Sequence, residues 1–296
     1  MSTKEHPPQH VPVLLDKVLE LLNPKSGENY LDLTAGYGGH ATEILRRTEN
    51  YQASVLVDRD INAINALKPF EEKGVRLIHD DFLATVKELI KEGRKYSLLL
   101  VDLGVSSPQL DRATRGFSFR NDGPLDMRMD SRQELTAAKV INSYTEEDLT
   151  NIIVKYGEEP YNYAKRIAGT IIAGRPIEST GQLSELIERS HRGRRKKIHP
   201  ATRTFQAVRI HVNDELSQVE QLMPLLPELL ATGGRAGIIS FHSLEDRIVK
   251  RYFADQAASG YEAELNILTK KPIDGSTYDV HNPRSRSAKL RVAVKK

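Results

Sequence analysis

Asp32-Leu-Thr-Ala-Gly36-Tyr-Gly38-Gly39-His40 is the stretch on which the fold turns. It begins where the apolar run Tyr30-Leu31 stops, and it leads into a helical pattern from Ala41 to Arg47. A strand, a glycine turn and a helix in succession hold a cofactor on helix-terminal amides. Glycine permits positive φ and removes the Cβ that would keep a ligand off the backbone. Three later runs end in acid: Ser54-Val-Leu-Val at Asp58, Val75-Arg-Leu-Ile ahead of Asp81, and Ser97-Leu-Leu-Leu-Val at Asp102. Carboxylates at the C-terminal ends of successive buried strands line the crevice where open α/β sheets bind ligands. The four runs alternate with helical stretches, so βαβ units and a parallel sheet are expected.

Two kinds of ligand fit such a turn. Gly36-x-Gly38-x-x-Ala41 satisfies the looser dinucleotide pattern, and Asp58 would serve a ribose in either case. Asp32 separates them. It stands directly before the turn, where it would repel a pyrophosphate but would welcome the ammonium of S-adenosylmethionine. Asp81-Phe82 adds an acceptor beside a ring, which suits an adenine. The residues therefore favour a methyl-donor site over a nicotinamide site.

Composition sets the bounds. A chain of 296 residues holds one large domain or two moderate ones. A charged fraction of 28% and an apolar fraction of 39% belong to a soluble globular protein. Cysteine is absent, which excludes disulfides and thiolate metal sites. No apolar run reaches the roughly 20 residues a membrane span needs, and the polar N-terminus lacks a signal core. A cytoplasmic location, away from membranes, is the expectation. The net charge of +3 is small, so affinity for nucleic acid has to come from local patches. The nine histidines are scattered without metal-ligand spacing, so no metal is expected. A hydrolase elbow of the Gly-x-Ser-x-Gly kind is also missing.

The pattern changes after Asp102. Residues 111–137 carry Gly, Asp, Arg and Met without periodicity, and residues from about 136 to 192 read as short helices. Among these, Thr180 is the expected N-cap of Leu183 to Ser190. A long amphipathic helix is expected over Phe205–Leu222. Gly233-Gly234 to His242 reads as a turn and strand of the first domain, and the alternating tail Ala288–Val294 as an edge strand. The predicted organisation is a methyltransferase domain over residues 1–110 and 206–296. A mostly helical domain for substrate recognition, residues 111–205, is inserted into it.

Three segments carry further chemistry. Asp102-Leu-Gly-Val-Ser-Ser-Pro-Gln109 places an acid and a proline where enzymes that methylate amino groups need them. The exocyclic amine of a base is a poor nucleophile, because its lone pair is delocalised into the ring. An acceptor on its N–H draws the nitrogen toward tetrahedral geometry, and alignment with the methyl group does most of the rest. Asp102 is the candidate catalytic acceptor; capping a helix is its plainer role. In Arg115-Gly-Phe-Ser-Phe-Arg120 and onward to Asp130, Phe117 and Phe119 can stack on a splayed base, and Arg115, Arg120 and Arg128 can hold phosphates. The plainer alternative is that these aromatics and methionines pack a domain junction. The third segment, residues 189–203, has no acidic residue. Its Arg194, Arg195, Lys196, Lys197 and Arg203 form a phosphate-binding patch unless the loop is merely solvated. His242 ends a strand-like run and is either a substrate contact or a satisfied structural group.

These motifs occur together in one known pattern. His10-Val-Pro-Val-Leu-Leu, Asp32-x-Thr-x-Gly-x-Gly-Gly-His40, the segment from Asp102 to Gln109 and Arg115-Gly-Phe-Ser-Phe belong to it. So do Gly123-Pro-Leu-Asp-Met-Arg-Met-Asp130, His199 to Arg209 and Ser240-Phe-His-Ser-Leu-Glu-Asp-Arg247. From about residue 10 to its end, the chain resembles the bacterial ribosomal small-subunit (16S) RNA cytosine-N4 methyltransferases. The resemblance implies a Rossmann-like α/β domain with an inserted helical domain. It also implies S-adenosylmethionine as cofactor and the N4 of one cytidine in the decoding region of 16S rRNA as target. Gly38, Gly39, His40, Asp58, Phe82, Asp102 and Gln109 would be cofactor positions. The small ribosomal subunit is the implied partner, and a homodimer is among the states the chain allows. An rRNA-binding assembly factor on the same fold is the competing class. It has no need of acids at three strand ends.

Overall fold

The computed structural model describes residues 11–191 and 199–296. The chain divides into two compact units. One comprises the described chain up to Gly104 and Gln218–Lys296; the other is Val105–Ser217.

The first unit is built on a sheet. α1 (Leu15–Leu22), β1 (Tyr30–Asp32), α2 (Gly39–Thr48), β2 (Val55–Asp58), α3 (Ile61–Glu71), β3 (Arg76–His79), α4 (Phe82–Lys91) and β4 (Tyr96–Asp102) follow in alternation. Asp60 caps α3 and Asp81 caps α4, each accepting a hydrogen bond from a first-turn N–H. Adjacent residues of the strands feed opposite cores. Leu31, Val57, Leu99 and Val101 join α4 in one apolar cluster. Tyr30, Leu56, Leu98 and Leu100 join α1 and α2 in another. Both faces are covered, which is why these strands read as unbroken apolar runs.

The strand order is β3-β2-β1-β4-β5-β8-β6, with β5 at Leu230–Ser240, β6 at Leu265–Ile267 and β8 at Lys289–Lys295. The first five strands in that order are parallel and β8 runs antiparallel. The tail strand therefore lies inside the sheet, contrary to the edge position expected from its alternation. β6 and the short β7 (Ile273–Asp274) both pair with its far side. The polar residue that made β8 look half-exposed is Arg291, which is 5% exposed. Its Nε donates to Asp246 Oδ1 at 2.7 Å. Asp246 lies on α13 (Ser243–Ala258).

The second unit is helical. It contains α5 (Ser107–Asp111), α6 (Ala137–Ser143), α7 (Glu146–Gly157), α8 (Tyr161–Ala173), α9 (Thr180–Ser190) and α10 (Ala201–Asn213). Leu149, Ile153, Ile167, Ile171, Leu183, Ile187, Phe205 and Val208 form its core. The boundaries fall at 104 and 217 rather than 110 and 205, because α10 contributes its apolar face to this core. Ser179, not Thr180, caps α9, accepting from Gln182 N. The long helix expected over Phe205–Leu222 is two helices, α10 and α11 (Glu215–Leu222). Asp214 between them sits at φ 47°, in the left-handed region. Asn213 fixes the break by accepting from Met129 N and donating to Met127 O, and Arg209 clasps Glu215 across it.

α12 (Leu226–Leu229) precedes β5, and α14 (Gly275–Tyr278) follows β7. Among the described residues, no helix is long and apolar enough to cross a membrane.

Candidate active site

The strand order reverses between β1 and β4. Connections leave those two strands in opposite directions, which opens a crevice at their carboxyl ends. Asp32 ends β1, Asp58 ends the neighbouring β2 and Asp102 ends β4. The three carboxylates thus stand at the ends of adjacent strands within the first unit.

Asp32 is 2% exposed. Tyr30 Oη donates to its Oδ2 at 2.6 Å and Thr34 N to its Oδ1 at 3.1 Å. Burial nevertheless outweighs these bonds, which favour the anion, and lifts its pKa to about 7. Asp58 accepts from Gly36 N and Asp60 N, each at 2.8 Å. It therefore ties the glycine turn to the end of β2, a job the sequence reading did not give it. Burial raises its pKa as well. Asp102 keeps 26% of its side chain open, yet its Oδ1 is enclosed without a hydrogen-bond partner. Burial, with Asp32 and Glu245 close by, pushes its pKa well above the ordinary range. Among the described residues, no lysine or arginine forms an ion pair with any of the three. His40 Nε2 lies 3.7 Å from Asp102 Oδ2, too long for a hydrogen bond.

The turn itself is built by close packing. Gly36 and Gly38 have φ of 53° and 80°. A Cβ on Gly38 would come within 2.7 Å of Phe70 Cε2, and one on Gly39 within 2.7 Å of Pro12 Cγ. Thr34, which sequence reasoning passed over, joins β1 to β4: its hydroxyl accepts from Asp102 N at 2.6 Å. Phe82 opens α4 and is mostly buried in the sheet core. The Asp81 carboxylate is engaged in capping that helix.

The other expected site residues fall in different surroundings. His242 caps α13 through Nδ1, and its Nε2 lies 3.1 Å from Glu245 Oε1, off the line a hydrogen bond needs. In the second unit, Gln109 Oε1 accepts from Ser106 N and closes a capping box on α5. Phe117 is a core residue, 7% exposed, so stacking on a base is closed to it and the packing alternative holds. Arg115 braces its own loop by donating to the carbonyls of Arg128 and Met129. Arg128 is held bidentately by Asp126 and by the carbonyls of Ser131 and Gln133. Neither guanidinium is set free for a phosphate, which corrects the reading of that loop. Phe119 is half-buried, with its ring 4.7 Å from His199 and 4.9 Å from Phe205. Arg120 is exposed, and Arg203 is half-exposed while donating to Glu158 O. Arg194, Arg195, Lys196 and Lys197 lie outside the described residues.

Asp32 is buried, Asp58 and Asp102 are partly buried, and none of the three has a lysine or arginine ion-pair partner among the described residues, so a cationic ligand would favour their ionised forms. An ammonium suits Asp32, and ribose hydroxyls suit the lone pairs left on Asp58. A sulfonium is a further positive centre for this crevice. Sheet, turn and acids together define a Rossmann-like methyltransferase that uses S-adenosylmethionine.

The model of the MraW methylase family matches residues 8–296. Ribosomal RNA small subunit methyltransferase H of a Cyanothece strain is 46% identical over 289 residues, spanning 96% of this chain and 94% of its own. The proteins of that name from Heliobacterium mobile and a Synechocystis strain are 44% and 45% identical, each over 97% of this chain and 98% and 93% of their own. The chain belongs to the MraW methylase family.

Proposed function

We propose that this enzyme methylates the exocyclic N4 of one cytidine in 16S rRNA, in the decoding region of the small ribosomal subunit. The observation that carries the reading is the trio Asp32, Asp58 and Asp102 at the ends of adjacent strands, with no lysine or arginine ion pair to any of them among the described residues. The relatives' shared name supports ribosomal RNA as the substrate. The acid that opens the segment Asp102 to Gln109 supports an exocyclic amino group as target, and the family resemblance supports that of cytosine.

Asp32 receives the ammonium of the cofactor. Asp58 serves the ribose while it pins Gly36, and the Gly36-Gly38-Gly39 turn lets the backbone approach. His40 and Phe82 would line the same pocket. When bound, S-adenosylmethionine supplies an electrophilic methyl group. The cytidine is splayed out of its surroundings to reach the crevice. Asp102 accepts a hydrogen bond from N4–H and sharpens the nitrogen lone pair. Its raised pKa lets it take up the proton that N4 sheds as the new N–C bond forms. Phe119, Arg120, Arg203 and the basic run Arg194 to Lys197 are, in this reading, the residues that contact RNA. Alkyl transfer from a sulfonium needs no Lewis acid, so no metal enters this reading. The site of action is the cytoplasm, and a homodimer is compatible with the reaction.

The test is label transfer from methyl-tritiated S-adenosylmethionine to small subunits that lack the modification, followed by nucleoside analysis. Label in N4-methylcytidine is expected. Label in another nucleoside refutes the assignment of the atom. Intact cofactor binding with no transfer to either free 16S rRNA or assembled subunits favours an assembly factor.

A further inference from the structure

We infer that Tyr30 is a positioning residue of the cofactor site: its phenol orients the Asp32 carboxylate and keeps it ionised as acceptor for the cofactor's ammonium. The inference rests on the reading that Asp32 receives that ammonium.

The geometry is specific. Tyr30 and Asp32 are two apart on β1, so their side chains leave the same face of the strand. Tyr30 has no exposed surface, and a buried phenol needs an acceptor. Its Oη reaches Asp32 Oδ2 at 2.6 Å, the short distance of a bond to a charged acceptor. Thr34 N holds the other oxygen. The carboxylate is thus fixed at both ends, with lone pairs remaining on each oxygen.

The charged groups around Asp32 all disfavour its ionisation. From β2 comes Asp58 and from β4 Asp102, with Glu245 close to Asp102. The Tyr30 phenol is itself pushed well above its usual range by burial and by Asp32, so it remains a donor at every relevant pH. The basic groups near these acids are His40, 3.7 Å from Asp102, and Arg59, whose charge favours the ionised form of Asp58. Of the side chains around Asp32, the Tyr30 hydroxyl is the one that directly favours the anion. Phenylalanine would pack equally well at this position, and the hydroxyl is what it would lack.

The consequence is a shift in the pH dependence of ligand affinity. Only ionised Asp32 accepts the ammonium, so affinity follows the ionised fraction, half at a pKa of about 7. A hydrogen bond to an ionised acceptor is worth roughly one pKa unit, so Tyr30→Phe should move the midpoint to about 8. S-adenosylhomocysteine, which carries the same ammonium, would then bind about fivefold more weakly at pH 7 and less than about twofold more weakly at pH 8.5.

The experiment is calorimetric titration of the full chain with S-adenosylhomocysteine from pH 6 to 8.5. 5′-Methylthioadenosine, which lacks the amino-acid part, is titrated in parallel. A raised midpoint for S-adenosylhomocysteine alone is the expected result. Equal losses for both ligands at every pH would mean a packing role and overturn the inference. Asp32→Asn separates the two layers. Unchanged S-adenosylhomocysteine affinity in that variant sinks the ammonium reading and this inference with it. A loss there, with no midpoint shift in Tyr30→Phe, sinks the inference about Tyr30 alone.

Discussion

Replacing Asp32 with asparagine should stabilise the ligand-free protein at alkaline pH while it weakens cofactor binding. Asp32 has a pKa near 7 in the folded chain against an ordinary value of 3.8. A carboxyl whose pKa is raised by folding binds more protons in the folded state than in the unfolded one. Its contribution is therefore fully present below the unfolded pKa and is lost as pH rises through the folded pKa. With these two values, raising the pH from 5 to 8 removes about 3 kcal/mol of stability through this one group. Asparagine does not titrate. It also places an amide N–H against one of the two donors, Tyr30 Oη or Thr34 N, which costs about 1–3 kcal/mol at any pH. Relative to wild type, Asp32→Asn should therefore be neutral or destabilised at pH 5 and should gain about 3 kcal/mol on moving to pH 8. Asp58 and Asp102 titrate in the same direction, and losing the Asp32 charge eases the ionisation of Asp102, which adds to the variant's gain at alkaline pH. Thermal unfolding of both proteins across pH 5–8 without ligand is the assay. A difference between the two that does not change with pH would refute the claim that Asp32 is a strained, buried anion.

Three further outcomes are expected. Asp102→Ala should lower turnover by about a hundredfold or more, as removal of a group aimed at the reacting atoms does, and should leave the melting temperature level or higher. Turnover near wild type in labelled-methyl assays would contradict its role. Gly38→Ala puts a Cβ 2.7 Å from the Phe70 ring at a φ of 80°. It should cost roughly 1–2 kcal/mol in backbone strain and weaken binding of S-adenosylhomocysteine; a titration matching wild type would contradict the close packing of the turn. Arg291→Leu strips a bidentate partner from the mostly buried Asp246, with Lys289 Nζ still 3.4 Å away. A loss of about 3–5 kcal/mol is expected in denaturant unfolding, and Arg291→Leu with Asp246→Leu should lose less.

How much of the site was legible varies residue by residue. Asp32, Asp58 and Asp102 could be picked out because each closes an apolar run, and a buried strand end in a parallel sheet faces the ligand crevice. Gly36 and Gly38 were legible because a turn at positive φ between strand and helix calls for glycine. Tyr30, Thr34 and Glu245 were not, because a tyrosine or threonine within an apolar strand reads as packing. Their roles come from bonds to neighbours on the same strand, across to β4 or at the cap of α13. Arg115, Phe117 and Arg128 show the opposite failure. Aromatics and arginines in an unperiodic loop look like a nucleic-acid surface until the side chains are seen turned inward, onto carbonyls, Asp126 and the helical core.

The sequence by itself determined the local structure and the chemical type of the protein. Apolar periodicity, capping residues and glycine turns act over a few residues, and the acids at strand ends follow from that local order. Tertiary structure decided what depends on contacts between distant segments. It placed β8 inside the sheet, because β6 and β7 cover its far side and Asp246 balances Arg291. It split the long helix at Asp214, because Asn213 is bound to a loop more than eighty residues earlier. It also raised the affinity of Asp32 for protons, since burial is a property of the whole fold and no spacing along the chain records it.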